Sequence, residues 1–168
     1  MSTLRVVMSI NILGQGDIGK IKIMLNCNYQ KFIERFMQQK SAECGFEKLT
    51  VGRVLKGLFI EIGNHSISGP RENFQDEAST NHEKHMSEEC FTLPIGTIFF
   101  DDTASCSTNF FISLKKSVKL SKHHMVVGRV VYGMSVVGAV ESYGSQSGRP
   151  VKFITAQPCS VFNSPLQC

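Results

Sequence analysis

Residues 124–137 read HMVVGRVVYGMSVV, and this stretch gives the strongest indication of the fold. Its first half, Met125 to Val131, is rich in β-branched valine, which predicts a strand. A glycine, a methionine and a serine then precede a second apolar run, Val136 to Val140. Because serine is a favoured N-cap, we predict that Ser135 begins a short helix whose valines face inward. The central unit of the chain is therefore a strand that leads directly into an apolar helix.

The N-terminal part of the chain predicts a β-hairpin. Val6 to Ile12 has strand character, Gly14 to Gly19 is a turn, and Lys20 to Leu25 alternates between polar and apolar residues. The turn spells G-x-G-x-x-G, a pattern typical of dinucleotide-binding proteins. Strand-like alternation follows it instead of the helix that such a site requires, which excludes that function.

Residues 28–40 change from strand to helix periodicity. Asn28 is a plausible N-cap, and Gly45 lies beyond the polar end, where glycine commonly stops a helix. The apolar residues that share one helical face are Phe32, Ile33, Phe36 and Met37.

The remaining chain predicts several short strands. Residues 51–62 indicate two strands around a bend, and further strands are predicted at 91–93, 97–100, 110–112 and 151–156. Many short strands with about two helices favour a mainly β protein, built as a closed antiparallel barrel with helices over its open ends.

Length and composition indicate one domain over residues 1–168. The chain is 42% hydrophobic, which is enough for a single buried core. We place the fold at about residues 5–162, between short tails. Residues 64–90 are polar and acidic and predict a long variable surface loop.

Charge and cysteine content narrow the class of protein. The net charge is +4, and the longest basic cluster comprises Lys115, Lys116, Lys119 and Lys122. No aromatic residues interleave that cluster, so we interpret it as a solvated loop and expect no nucleic-acid partner.

The six cysteines form no C-x-x-C motif. Without a signal peptide or an apolar run of about 18 residues, we expect a reduced, intracellular, cytoplasmic protein with no membrane partner.

Several segments together resemble the cyclophilins. Residues 124–137 are similar to the family pattern H-V-V-F-G-K-V-x-x-G-M-x-V-V, and residues 141–150 to the loop before its last strand. Residues 109–112 resemble its Q-F-F-I strand, with asparagine in place of glutamine. Residues 14–25 resemble its G-x-x-x-G-R-I-x-x-E-L hairpin, and residues 32–36 its first helix. The resemblance spans about residues 5–162, strongly after residue 107 and weakly between 64 and 105.

The resemblance implies an eight-stranded antiparallel β-barrel capped by two α-helices and a peptidyl-prolyl cis-trans isomerase activity. The family's catalytic arginine lies in the motif F-H-R-I-I-x-x-F-M-x-Q-G-G, which matches residues 51–63 here. Arg53 is therefore the expected catalytic residue. The same comparison implies substrate-binding roles for Leu58, Phe59, Glu61, Asp101, Asp102, Asn109, Phe111, Leu120 and His124.

Some of these positions depart from the family pattern. Glu61 replaces a glutamine, and a carboxylate there is expected to pair with Arg53 and compete with the prolyl nitrogen. Asp101 and Asp102 replace an alanine and an asparagine, so an amide donor to the substrate backbone is lost. Lys119 replaces a tryptophan that contacts cyclosporin, which predicts weak binding of that drug. Within the acidic loop, either Asn73 to Glu77 or Glu88 to Phe91 aligns with the family's F-x-D-E.

The sequence thus leads to two hypotheses. The first is an isomerase or binder of proline-containing peptides with reduced activity. The second is a catalytically inactive structural or interaction module within a larger protein assembly. Neither needs a cofactor or a metal, and the spacing of His82, His85 and Cys90 matches no recognised zinc site.

Overall fold

A computed structural model describes residues 2–38, 40–41, 45–46, 48–64, 89–101, 109–120 and 123–165. Their helices are α1 (Gln30–Gln38) and α2 (Met134–Glu141). Their strands are β1 (Ser2–Ile12), β2 (Gly16–Asn26), β3 (Lys40–Ser41), β4 (Gly45–Phe46), β5 (Leu49–Leu55), β6 (Phe59–Gly63), β7 (Glu89–Thr92), β8 (Thr97–Asp101), β9 (Phe110–Ser113), β10 (Ser117–Leu120), β11 (His124–Tyr132) and β12 (Ile154–Pro165).

Eight of these strands form a closed barrel in the order β1-β12-β5-β6-β9-β8-β11-β2, and the neighbouring pairs are antiparallel. The strands β7 and β10 pair outside the barrel, as do β3 and β4. The prediction of a mainly β, eight-stranded antiparallel barrel with two helices is confirmed.

The core lies inside the barrel because alternate residues of each strand point inward. In β6, Ile60 and Ile62 are 1% and 2% exposed, and the cross-strand partner of Ile60, Ile112, is equally buried. The alternate, outward positions of β6 carry Phe59 and Glu61. Period-two alternation therefore separates a core of apolar residues from an outer face that can carry polar and charged side chains.

Each helix packs its apolar face against barrel residues. In α1, Phe32 stacks on Phe100 with ring centroids 4.6 Å apart, and Phe36 meets Phe110 edge-on at 6.3 Å. In α2, Val137 and Val140 are buried in the same core cluster. Among the described residues no helix is long and apolar enough to cross a membrane.

Two predicted helix starts are wrong. Gly133 in a left-handed conformation (φ 90°), and not Ser135, is the N-cap of α2. A positive φ costs glycine little, so the chain turns sharply from β11 into the helix. The first helix begins at Gln30, because Asn28 still belongs to a turn in which its N–H donates to the Asn26 side chain at 3.0 Å.

Other boundaries also differ from the prediction. The first helix ends at Gln38, and Gly45 lies in β4. The last strand begins at Ile154 and continues to Pro165, well beyond the predicted end at 156. The segment read as a basic loop includes β10, which follows the exposed Lys115 and Lys116. Cys27 and Cys159 carry free thiols.

Candidate active site on the outer face of the barrel

Strand register brings the candidate catalytic residues into one row. Arg53 on β5 lies opposite Glu61 on β6, which lies opposite Phe111 on β9, which in turn lies opposite Phe99 on β8. Their side chains project outward from the barrel, since the neighbouring residues Val54, Ile60 and Ile112 are buried inside it. The row joins a cation, a carboxylate and an aromatic surface over four adjacent strands.

Arg53 and Glu61 form an ion pair at the polar end of this row. Arg53 Nε lies 4.0 Å from Glu61 Oε2, with side-chain exposures of 42% and 11% respectively. The arginine therefore remains open to a ligand while the carboxylate is mostly covered. This pairing agrees with the expectation that a carboxylate at position 61 engages Arg53.

Asn109 holds the same carboxylate from the other side. Its Nδ2 donates a hydrogen bond to Glu61 Oε1 at 3.0 Å. The missing side chain of Gly63 makes this possible, because a Cβ at that position would overlap the Asn109 side chain. Glu61 is thus fixed between an amide donor and a cation, with one oxygen directed at each.

Aromatic rings form the apolar wall beside Arg53. Phe111 packs edge-on against Phe59 at 5.2 Å and stacks on Phe99 at 5.1 Å. The guanidinium carbon of Arg53 lies 5.5 Å from the Phe59 ring centroid, within the range of a cation–π contact. The wall therefore begins directly at the arginine.

His124 continues the wall at the start of β11. Its ring lies 5.6 Å from Phe99 and 6.3 Å from Phe111, edge-on to both. Partial burial lowers the pKa of His124 below its ordinary value of 6.5. The charge of Asp101 acts in the opposite direction, and that of His123 adds to the lowering. A neutral imidazole is therefore favoured near pH 7, which keeps this end of the wall uncharged.

The loop after α2 supports the strand that carries Arg53. The backbone N–H of Val54 donates to the carbonyl of Gly148 at 2.8 Å. Gly148 has φ 80°, and a Cβ there would press on Leu55. The sequence resemblance of residues 141–150 marked this loop but did not indicate that it packs against β5.

The structure brings together five of the predicted site residues: Arg53, Phe59, Glu61, Asn109 and Phe111, with His124 joining them through its ring contacts. Leu58 lies in the turn between β5 and β6 and is 43% exposed. Asp101 ends β8 directly opposite His124.

For the other predicted positions, the structure describes either the backbone alone or nothing. Asp102, His82 and His85 lie outside the described residues. Leu120, Lys119 and Cys90 are placed by backbone alone, with Lys119 opposite Cys90 where β10 pairs with β7. Within the described part of the chain, no group of three or more histidine, cysteine or acidic side chains could hold a metal ion.

Phe99 is a site residue that the sequence does not identify. The sequence predicts only a strand at residues 97–100, and no local signal distinguishes Phe99 from its neighbour Phe100. Barrel register makes the distinction, because it turns Phe100 inward to α1 and Phe99 outward to Phe111.

Comparisons with known proteins agree with this geometry. A family model described as cyclophilin type peptidyl-prolyl cis-trans isomerase/CLD matches residues 7–161. A peptidyl-prolyl cis-trans isomerase of Encephalitozoon cuniculi (strain GB-M1) is 33% identical over 135 residues, which cover 71% of each chain. With the closed barrel and its two helices, these matches show that the chain belongs to the cyclophilin-type peptidyl-prolyl cis-trans isomerase family, whose members bind proline-containing peptides.

Proposed function

We propose that the chain is a peptidyl-prolyl cis-trans isomerase of reduced activity, in which Arg53 is the catalytic cation and Glu61 restrains it. The observation that carries the proposal is the position of Arg53, which joins the aromatic wall through Phe59 and lies 4.0 Å from Glu61. The position of Arg53 between Phe59 and Glu61 is thus the basis for both the proposed isomerase activity and its reduced rate.

The reaction requires rotation about a partial double bond. The barrier for a peptide bond is about 18–20 kcal/mol, because resonance with the carbonyl keeps the C–N bond planar. When the bond twists, the prolyl nitrogen becomes pyramidal and recovers its lone pair. A guanidinium that donates a hydrogen bond to this nitrogen stabilises the twisted state more than the planar one, which lowers the barrier.

The wall supports the binding of the proline ring. Phe59 and Phe111 are partly exposed and offer ring surface, and the buried Phe99 stacks on Phe111. Burial favours the neutral form of His124. An apolar surface of this kind removes the proline ring from water and leaves the preceding carbonyl free to rotate. The exposed guanidinium of Arg53 lies at the edge of that surface, as transfer of a hydrogen bond to the prolyl nitrogen requires.

Glu61 supports reduced activity because it competes for the same cation. A carboxylate accepts hydrogen bonds from arginine more strongly than a weakly basic nitrogen does. Asn109 fixes the carboxylate in place, so Glu61 has little freedom to swing away when a peptide binds. The arginine must loosen this pair before it stabilises the twisted bond.

Exchange spectroscopy by NMR on a short Ala-Pro peptide tests the proposal, with the wild type beside Arg53→Ala. We expect cis-trans exchange to slow by at least about tenfold in Arg53→Ala, since removal of one donor to a transition state commonly costs about 100- to 1000-fold. Arg149→Ala is the matched control, because Arg149 is exposed on the neighbouring loop. An unchanged exchange rate in Arg53→Ala would contradict the proposal.

A second candidate function is a catalytically inactive interaction module in a larger assembly. The double restraint of Glu61 by Arg53 and Asn109 favours it, because a cation fully engaged by its own carboxylate cannot catalyse. In that case a proline-containing peptide would bind and shift the resonances of Phe59 and Phe111, while its cis-trans exchange stayed at the uncatalysed rate.

Weak binding of cyclosporin is part of the same proposal. Lys119 carries a hydrated charge where the family has a flat apolar indole, so the drug loses a contact surface there.

A further inference from the structure

A groove of about 480 Å³ lies on the outer face of β1, β2, β11 and β12. Its lining combines three cations with exposed or half-buried apolar side chains. They are Arg5, Lys22, Arg129, Met24, Val131 and Phe162, and we call this set the basic groove.

Strand register explains why charge and apolar surface alternate there. Arg5 on β1 lies opposite Phe162 on β12 and opposite Met24 on β2. Met24 also lies opposite Arg129 on β11. The row across four strands therefore reads aromatic, cation, thioether, cation, with all side chains on the outer face.

The cations of the basic groove have no acidic neighbours among the described residues. None of the described residues that line the groove is an aspartate or a glutamate. Among the side chains that the structure describes, no carboxylate forms an ion pair with Arg5 or Arg129. Lys22 extends over the Tyr132 ring, 5.0 Å from its centroid. The groove therefore concentrates positive charge on a chain that carries +4 overall.

Apolar surface is exposed between these charges. Phe162 is 57% and Val131 47% exposed. Large apolar side chains grouped beside unneutralised arginines are typical of surfaces that bind another protein.

We propose that the basic groove binds an acidic segment of a partner protein that carries apolar side chains between its carboxylates. Carboxylates match Arg5 and Arg129, since guanidinium groups bind them in a planar, two-point geometry. Apolar side chains of the segment cover Phe162 and Val131. A nucleic acid fits less well, because a backbone-tracking site is an extended stripe of cations with several stacking rings. These three cations share one compact groove whose described lining has a single aromatic ring, that of Phe162.

The basic groove and the candidate active site are on opposite sides of the barrel. The groove is centred on β1 and β2, and the site on β6 and β9, with two further strands between them in either direction around the barrel. A partner in the groove leaves Arg53 and its aromatic wall open. This inference is therefore independent of the proposed isomerase activity.

The test uses the full chain and a fluorescein-labelled peptide in which glutamates alternate with leucine and phenylalanine, followed by fluorescence anisotropy. We expect the Kd to rise at least about tenfold in Arg5→Gln/Arg129→Gln. It should stay within about twofold in Lys115→Gln/Lys116→Gln, which removes the same charge from exposed positions elsewhere. Phe162→Ser should weaken binding as well, because the apolar contact is lost without a change in charge.

Three results would overturn the proposal. Equal losses in the two double variants would mean that only net charge attracts the peptide. Unchanged binding in both Arg5→Gln/Arg129→Gln and Phe162→Ser would place the peptide elsewhere. Tighter binding of a single-stranded RNA oligonucleotide or of phosphatidylserine vesicles, lost in Arg5→Gln/Arg129→Gln, would assign the groove to that ligand instead. Thermal unfolding of each variant, followed by circular dichroism, verifies that the barrel is intact.

Discussion

At the residue scale, the Glu61 side chain has two partners, and one of them is the proposed catalytic residue Arg53. Its carboxylate accepts a hydrogen bond from Asn109 and lies 4.0 Å from Arg53 Nε. An ion pair with one exposed partner is worth about 0.2–1 kcal/mol. If all of that is lost when Arg53 turns to a prolyl nitrogen, the rate falls by about 1.4- to 5-fold. Glu61 is therefore able to slow an isomerase without abolishing its activity.

His124 provides a prediction about pH. Its folded pKa is lowered by burial, while the unfolded chain titrates near 6.5, so the unfolded state binds more protons as the pH falls below 6.5. The contribution of His124 to stability is thus complete above about pH 6.5 and is lost as the pH falls through the folded pKa. We expect the NMR titration midpoint of His124 to lie below 6.5.

Two substitutions sharpen that measurement. In His124→Gln, the fall in unfolding free energy between pH 7 and pH 5 should become smaller, because one titrating group has been removed. In His123→Gln, the midpoint of His124 should rise, since the charge of His123 adds to the lowering. A midpoint for His124 at or above 6.5 would contradict the burial of its ring against Phe99.

At the element scale, the junction of β11 and α2 depends on a single glycine. Gly133 is the N-cap of α2 at φ 90°, and a Cβ there would overlap the carbonyl oxygen of Lys20 on β2. The chain therefore passes from β11 into α2 only if residue 133 has no side chain, because the backbone of β2 lies too close for a Cβ there. This close approach fixes where α2 lies over the barrel.

We expect Gly133→Ala to lower the unfolding free energy by at least about 1–3 kcal/mol, the cost of an unfavourable backbone conformation, before any steric overlap is added. Gly138→Ala is the matched control, because Gly138 is exposed within α2 and a Cβ there meets nothing within 4 Å. That variant should be more stable by about 0.5–1 kcal/mol. Urea unfolding of both measures the difference, and equal stabilities would refute this role of Gly133.

The elements also show what local sequence can predict. Strands such as β2 were predictable because Lys20 to Leu25 alternates between polar and apolar residues, which is a local pattern. The extent of β12 was not, since Pro158 and the polar residues after it argue against a strand. Its pairing with β1 overrides that preference, and the register shifts between Val7 and Met8, so Pro158 lies next to a bulge. Tertiary pairing, which no local window contains, sets the boundary.

The site was predictable to a similar degree. Arg53, Phe59 and Phe111 stand in motifs that resemble a known family, so their roles were open to inference. Phe99 and Gly63 were missed because their importance comes from neighbours on other strands, Phe111 and Asn109 respectively. Sequence resemblance identifies the chemistry of a site, whereas register decides which residues support it.

At the scale of the whole molecule, the pairing of β1 with β12 closes the barrel near the two ends of the chain. Ile154 and Ala156 of β12 are fully buried in the core. Deletion of residues 154–168 removes these side chains and leaves β1 with an unpaired edge, which promotes aggregation.

We therefore expect this truncated chain to lose its cooperative thermal transition and to sediment as aggregates. A chain that ends at Pro165 keeps all of β12 and serves as the control. Cooperative unfolding of the 154–168 deletion at the control's midpoint would contradict the closed barrel.

Whether Arg53 works under the restraint of its own carboxylate is tested by the exchange rate of an Ala-Pro peptide with Glu61→Gln beside the wild type. Glutamine keeps the shape of the side chain and removes its charge, so we predict faster exchange, by about 1.4- to 5-fold. In the Arg53→Ala/Glu61→Gln double variant, exchange should return to the uncatalysed rate. An equal or slower rate in Glu61→Gln, or catalysis that survives in the double variant, would contradict the account.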